Sequence, residues 1–139
     1  RFREDYYRKL RFFCIEGKLY PVVCHIDKVW NVHGNNRRTI LKETDWMMAE
    51  EQKFLSDSRA YVGDENYRIF ESFYDLIKLD FFGFDFNLLP DGSVLIYELN
   101  PAMRHSMDHA KGTPYLAPYL QKISDAFMAM AIKKAAVPK

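Results

Sequence analysis

Phe81-Phe82-Gly83-Phe84-Asp85-Phe86-Asn87-Leu88-Leu89, then Pro90-Asp91-Gly92-Ser93, then Val94-Leu95-Ile96-Tyr97-Glu98-Leu99-Asn100 is the stretch whose reading decides the fold. Two runs rich in aromatic and aliphatic residues flank a cluster of turn formers, which predicts a β-hairpin. A turn centred on Asp91-Gly92 places Asp85 opposite Glu98. Side chains alternate across a pleat, so Asp85 and Asn87 share one face with Glu98 and Asn100. Phe84, Phe86, Leu88, Leu95, Tyr97 and Leu99 then form the other, a core face.

Four oxygen-bearing side chains on one face have a chemical consequence. Carboxylates directly across a strand pair stand about 5 Å apart at Cβ and repel. At an effective dielectric near 20, that repulsion costs about 3 kcal/mol, so something has to neutralise it. Two carboxylates with an amide oxygen are a hard-ligand set. Mg²⁺ takes one or two carboxylates and leaves its other positions to water and substrate phosphates. A Mg-nucleotide site is one reading, and a solvated hairpin face is the other.

Working outward, Tyr7 to Ile15 and Leu19 to Ile26 flank Glu16-Gly17 and predict a first hairpin. Its simple register sets Cys14 against Leu19 and Cys24 against Lys9. Pro21 cannot donate to a ladder, so the second strand is expected at a sheet edge or bulged. Asn31 to Arg38 is polar and aperiodic, which reads as a mobile loop. Thr44 and Asp45 can cap a helix ending near Ser56 to Ser58, with Glu50 and Glu51 early in it. A second helix opens at Asp64 and Glu65, with Ile69, Phe73, Leu76 and Ile77 lining one face and Lys78 near its negative end. Leu120, Ile123, Phe127 and Met130 have helical spacing within a last helix from about Pro118 to Ala136. The sum is an α+β domain, an antiparallel sheet with flanking helices.

The chain has 139 residues, the usual size of one domain over 1–139. Its 48% apolar and 28% charged residues exclude a disordered or collagen-like chain. A net charge of +1 supplies no general field for nucleic acid or anionic membrane. The longest uncharged apolar stretch, Ala126 to Ile132, falls far short of the roughly 20 residues that span a bilayer. With two cysteines, Cys14 and Cys24, the reading is free thiols and the cytoplasm. Arg1 as first residue reads as a segment excised from a longer protein, and an aromatic share of 16% suggests a face that normally has a cover.

Leu79-Asp80-Phe81-Phe82-Gly83-Phe84-Asp85-Phe86 with Leu95-Ile96-Tyr97-Glu98-Leu99-Asn100-Pro101 resembles the signature of the ATP-grasp superfamily, an Asp on one strand and Glu-x-Asn on the next. Tyr7-Arg8-Lys9-Leu10-Arg11, Tyr20-Pro21 through His25, Trp30-x-Val32-His33 and Ala49-Glu50-Glu51-Gln52-Lys53-Phe54-Leu55 are similar to a bacterial ATP-grasp group joined to tetratricopeptide repeats. The resemblance implies the carboxy-terminal ATP-grasp subdomain, with Asp85, Glu98 and Asn100 as ligands of the Mg²⁺ that bridges ATP phosphates. It also implies an amino-terminal half as partner, holding the nucleotide-gripping lysines and the glycine-rich loop. Two departures stand out: those elements are missing here, and Gly83 occupies the place where amino-acid ligases carry an Arg that meets the transferring phosphate.

The implied reaction is phosphoryl transfer from ATP to a small-molecule or peptide carboxylate. The acyl phosphate is then attacked by an amine or similar nucleophile, as in a ligase. A kinase that stops at phosphate transfer and a non-catalytic, degenerate binding module are the alternatives. Positioning and charge dispersal carry such chemistry. Arg8, Lys9 and Arg11 are cationic candidates on the first strand, where Lys9 and Arg11 share a face. Lys9 is assigned to the cofactor, and Arg11 and Arg104 are the catalytic candidates in place of the absent Arg. Arg104 and His105 follow Asn100 closely enough to meet an anionic substrate. His105 and His109 stand four apart and could join a zinc site only with a third ligand that the sequence does not offer. His33 reads as a turn cap or a substrate contact, and Trp30, Trp46, Phe81 and Phe82 read as core.

Overall fold

The computed structural model describes residues 2–3, 5–32 and 45–136. Strands β1 (Tyr7–Ile15) and β2 (Lys18–Asp27) form the first hairpin, and β3 (Phe81–Leu88) and β4 (Val94–Asn100) form the second. Both residues of the first turn are left-handed, Glu16 at φ 45° and Gly17 at φ 82°. That is the twist a two-residue hairpin loop requires. In the second turn Asp91 Oδ1 accepts from the Ser93 N–H at 2.9 Å and from its hydroxyl at 2.6 Å.

The two hairpins join through β1 and β3 into one antiparallel sheet ordered β2-β1-β3-β4. Helices flank it: α1 (Asp45–Ser56), α2 (Ser58–Val62), α3 (Asp64–Ile77) and α4 (Ala117–Ala135). The α+β antiparallel architecture expected from the sequence is the one observed. None of the described helices is long and apolar enough to cross a membrane.

Phe12 is the hub of one sheet face. Its ring meets Phe84 and Phe86 of β3, Phe54 of α1, and Tyr67 and Phe70 of α3, with centroids 5.3 to 6.0 Å apart. Such aromatic contacts add about 0.5–1.5 kcal/mol each beyond the area they bury. On the other face Phe13 stacks on Phe81, which meets Phe127 of α4 edge-on at 5.0 Å. The high aromatic content is thus largely internal packing, and it explains why the sheet is covered on both sides.

β2 is an edge strand, as Pro21 predicted, and the register slips between Arg11 and Phe12, leaving Val22 as the extra residue. The edge is also closed chemically. Glu51 of α1 is fully buried and accepts from the Cys24 N–H at 2.7 Å and from the Tyr115 hydroxyl at 2.8 Å. Satisfying an edge amide in this way removes a template for unwanted strand pairing. Glu51 therefore serves the β2 edge rather than only the helix dipole.

Several expectations are corrected. The Val22 bulge sets Cys24 opposite Leu10, and His25 takes the place opposite Lys9. Neither cysteine is in a disulfide, both are buried, and burial pushes the Cys14 thiol up to about 11. A second bulge, between Asp85 and Phe86, pairs Phe86 with Ile96 and Leu88 with Val94, so Ile96 and Val94 take the core side in place of Leu95 and Tyr97. β4 is the other edge, and Leu95, Tyr97 and Leu99 are exposed. α3 buries Phe70, while Ile69 and Leu76 face solvent. Trp30 is 78% exposed rather than core, and the short α2 was not expected. Thr44, His33 and most of the Asn31–Arg38 stretch lie outside the described residues.

Replacing Glu51 by Ala strands the Cys24 amide and the Tyr115 hydroxyl in a buried setting. We expect a loss of about 1–3 kcal/mol of stability by urea denaturation, whereas Gln at the same position retains an acceptor and loses less.

Candidate functional site

The slipped register leaves one transverse row intact. Arg11 of β1 pairs with Asp85 of β3, and Asp85 pairs with Glu98 of β4. One step along, Phe13 pairs with Gly83, and Gly83 with Asn100. Directly paired residues share a face, and so do neighbours two apart along a strand, so Lys9, Arg11, Asp85, Glu98 and Asn100 gather on one side of the sheet. Five of the six residues assigned to the site from sequence are brought together by backbone pairing alone.

Asp85 is the centre of the group and only 1% exposed. Arg11 grips it with two bonds, Nε to Oδ1 at 2.6 Å and Nη2 to Oδ2 at 2.9 Å. Lys9 Nζ lies 3.1 Å from Oδ2. A carboxylate cannot be buried in a sheet without such partners, because its desolvation costs several kcal/mol. The neutralisation demanded by the facing carboxylates is thus supplied by β1. Glu98, in contrast, is exposed and makes no ion pair among the described residues. Four unit charges, two of each sign, occupy the face, with one acid clamped and one open.

The third oxygen ligand set is partly engaged. Asn100 Oδ1 accepts from the Ala102 N–H at 2.8 Å, closing the turn that leaves β4. Asn87 is buried, and its Oδ1 accepts from Arg8 Nε at 3.0 Å, so it is withdrawn from the open face. Arg8 is not a solvated cation: it also donates from Nη1 to the Tyr61 hydroxyl at 2.5 Å and pairs with Glu50 at 3.4 Å. Tyr61 in turn donates to Glu50, and burial holds the Tyr61 hydroxyl well above its ordinary range.

Packing against Met103 accounts for the glycine at position 83. A Cβ there would lie 2.5 Å from Met103 Cγ and 2.6 Å from Met103 Cβ. Met103 is buried over the glycine, and its N–H reaches back to the Asn100 carbonyl at 3.3 Å. No side chain fits at position 83 while Met103 covers it. The same fold-back carries Arg104, which is exposed and forms no ion pair among the described residues. Sequence reading missed this packing because nothing local pairs a glycine with a methionine twenty residues later.

The histidines divide. His105 is not on a helix; its Nε2 lies 2.9 Å from Ser124 Oγ. His109 belongs to a 3₁₀ turn, Met107–Ala110, and its ring centroid is 6.1 Å from that of His25. Among the described residues, no three His, Cys, Asp or Glu side chains are grouped to hold a metal ion.

Set against models of protein families, curated proteins and solved structures, the chain matches none of them. The argument for function accordingly rests on the site itself.

Two substitutions separate the clamped acid from the open one. Asp85→Asn leaves two cations facing each other in a largely buried setting, and we expect about 3 kcal/mol of lost stability. Glu98→Gln is expected to stay within about 0.5 kcal/mol of the native chain, as exposed positions do. Chemical denaturation of both variants checks the contrast. Gly83→Ala is expected to cost about 1–3 kcal/mol by overpacking, with most of that loss relieved when Met103 is also changed to Ala.

Proposed function

We propose that this chain supplies the metal and phosphate end of an ATP-grasp type of site, in which ATP with Mg²⁺ activates a carboxylate as an acyl phosphate for attack by an amine or similar nucleophile. The observation that carries this reading is the Arg11–Asp85–Glu98 row, with Lys9 and Asn100 on the same face. Cations contact one carboxylate there, and strand pairing sets a second carboxylate and an amide on the same face, groups of the kind a polyphosphate with its counter-ion requires.

The donor set fits Mg²⁺. Glu98 offers an open carboxylate, Asn100 an amide oxygen, and Asp85 a carboxylate in which Lys9 and Arg11 use three of about four lone-pair positions. When bound, the ion would disperse charge on the phosphate oxygens. Lys9 keeps two of its three N–H donors, and Arg11 three of its five. Both cations can therefore hold phosphate oxygens without releasing Asp85, which orients them. Arg104 offers a further cation for the carboxylate substrate. A cytoplasmic setting, with Cys14 and Cys24 not joined in a disulfide, agrees with this reading. The nucleotide-gripping lysines and glycine-rich loop of such enzymes have no counterpart here, so the purine end would be held by another segment or chain.

A second reading, ligand binding without catalysis, is favoured by one observation. Met103 excludes any side chain at Gly83, and with it the arginine that meets the transferring phosphate in the ligases.

Amide NMR with Mn²⁺ in place of Mg²⁺ tests the proposal. In the presence of ATP, signals of residues 9–13, 83–87 and 98–100 are expected to broaden selectively, with at least ten-fold weaker binding in Glu98→Gln. Broadening elsewhere, or the same affinity in that variant, contradicts it. Carboxylate-dependent release of ADP distinguishes the catalytic reading from the binding one.

A further inference from the structure

Between the buried Met103 and the 3₁₀ turn at Met107–Ala110, the stretch after β4 is hydrogen-bonded to α4 through the His105 imidazole. Ser124 of α4 donates its hydroxyl proton to the Leu120 carbonyl at 3.3 Å, which leaves Ser124 Oγ to accept from His105 Nε2 at 2.9 Å. With the ring proton on Nε2, where it can donate to Ser124 Oγ or to the Leu120 carbonyl, Nδ1 is left as an acceptor. Nδ1 is buried and has no hydrogen-bond partner. The ring edge packs on Phe13 of β1, with centroids 5.8 Å apart at 88°.

Among the described residues, no charged group acts on the ring. β1 presents Phe13 to it, and α4 presents Ser124 and Leu120. Of the ionisable side chains close to His105 and Ser124 in sequence, Asp125 accepts from Gln121, Asp108 pairs with Lys111, the His109 ring lies 6.1 Å from that of His25, and Lys122 and Arg104 are exposed cations. A proton on Nδ1 would create a buried N–H without an acceptor and a positive charge without a counter-charge. Each is costly in a low-dielectric setting.

We infer that His105 is a protonation-controlled latch: neutral, it ties the segment bearing Met103 and Arg104 to α4, and protonated, it releases that segment from Gly83. The inference stands apart from the ATP reading, because it needs only the His105–Ser124 bond and the Met103 cover. The sign follows from burial, which lowers the His105 pKa from its ordinary value of 6.5. The released state binds the proton more readily, so the latched state is favoured above about 6.5 and loses ground as pH falls through and below that value.

NMR of the Met103 methyl group and the His105 imidazole between about pH 7.5 and 5 tests it. In the native chain, the Met103 signal is expected to move toward a solvent-exposed position with a midpoint below about 6.5. In His105→Gln, which retains a donor for Ser124 but does not titrate, that movement is expected to vanish. In Ser124→Ala, which removes the partner and leaves the ring, the His105 midpoint is expected to rise toward the free value. A Met103 signal indifferent to pH in the native chain, the same pH dependence in His105→Gln, or an unchanged midpoint in Ser124→Ala overturns the latch.

Discussion

A carboxylate with 1% exposure in the middle of a sheet is the constraint on which the rest depends. Asp85 can be there only because Arg11 and Lys9 reach it from the neighbouring strand. That requirement fixes the register of the two hairpins against each other. A one-residue slip of β1 would turn Lys9 and Arg11 toward the phenylalanine face and Phe12 away from it. The ion cluster and the aromatic core therefore specify the same pairing from opposite sides of one strand.

From that register the open side of the site follows. Glu98 faces Asp85 because the bulge expels Tyr97 and shifts the pairing by one residue between Phe86–Ile96 and Asp85–Glu98. Asn100 falls opposite Gly83, and the absence of a side chain there admits Met103 over the sheet. The acid that is clamped and the acid that is free differ only in position: Asp85 has β1 beside it, whereas Glu98 is on the edge strand. Topology, rather than residue type, buries one carboxylate and leaves the other exposed.

Much of this was legible in the sequence. Turn residues at Glu16-Gly17 and Pro90–Ser93 announced both hairpins, Pro21 announced an edge, and the Asp85–Glu98 pair agrees with a turn centred on Asp91-Gly92 because the bulge at Tyr97 shifts the pairing into that register beyond Phe86. What escaped was non-local. Neither bulge has a local signature, so Cys24 was set against Lys9, and Leu95 and Tyr97 were placed in the core. Ile69 and Leu76 share the α3 spacing with Phe73, but the sheet sees the helix from the side of Phe70. The juxtaposition of β1 with β3, which turns Lys9 and Arg11 from strand cations into partners of Asp85, is a tertiary event across some seventy residues of chain.

The central claim is that the Arg11–Asp85 pair couples the two hairpins. A double-mutant cycle with Arg11→Ala, Asp85→Ala and the combined variant, followed by chemical denaturation, measures that coupling directly. Because the pair is bidentate and largely buried, a coupling energy of about 2–3 kcal/mol is predicted, with the double variant clearly more stable than the two single losses would sum to. A coupling below about 0.5 kcal/mol, the range of independent sites, would contradict the account.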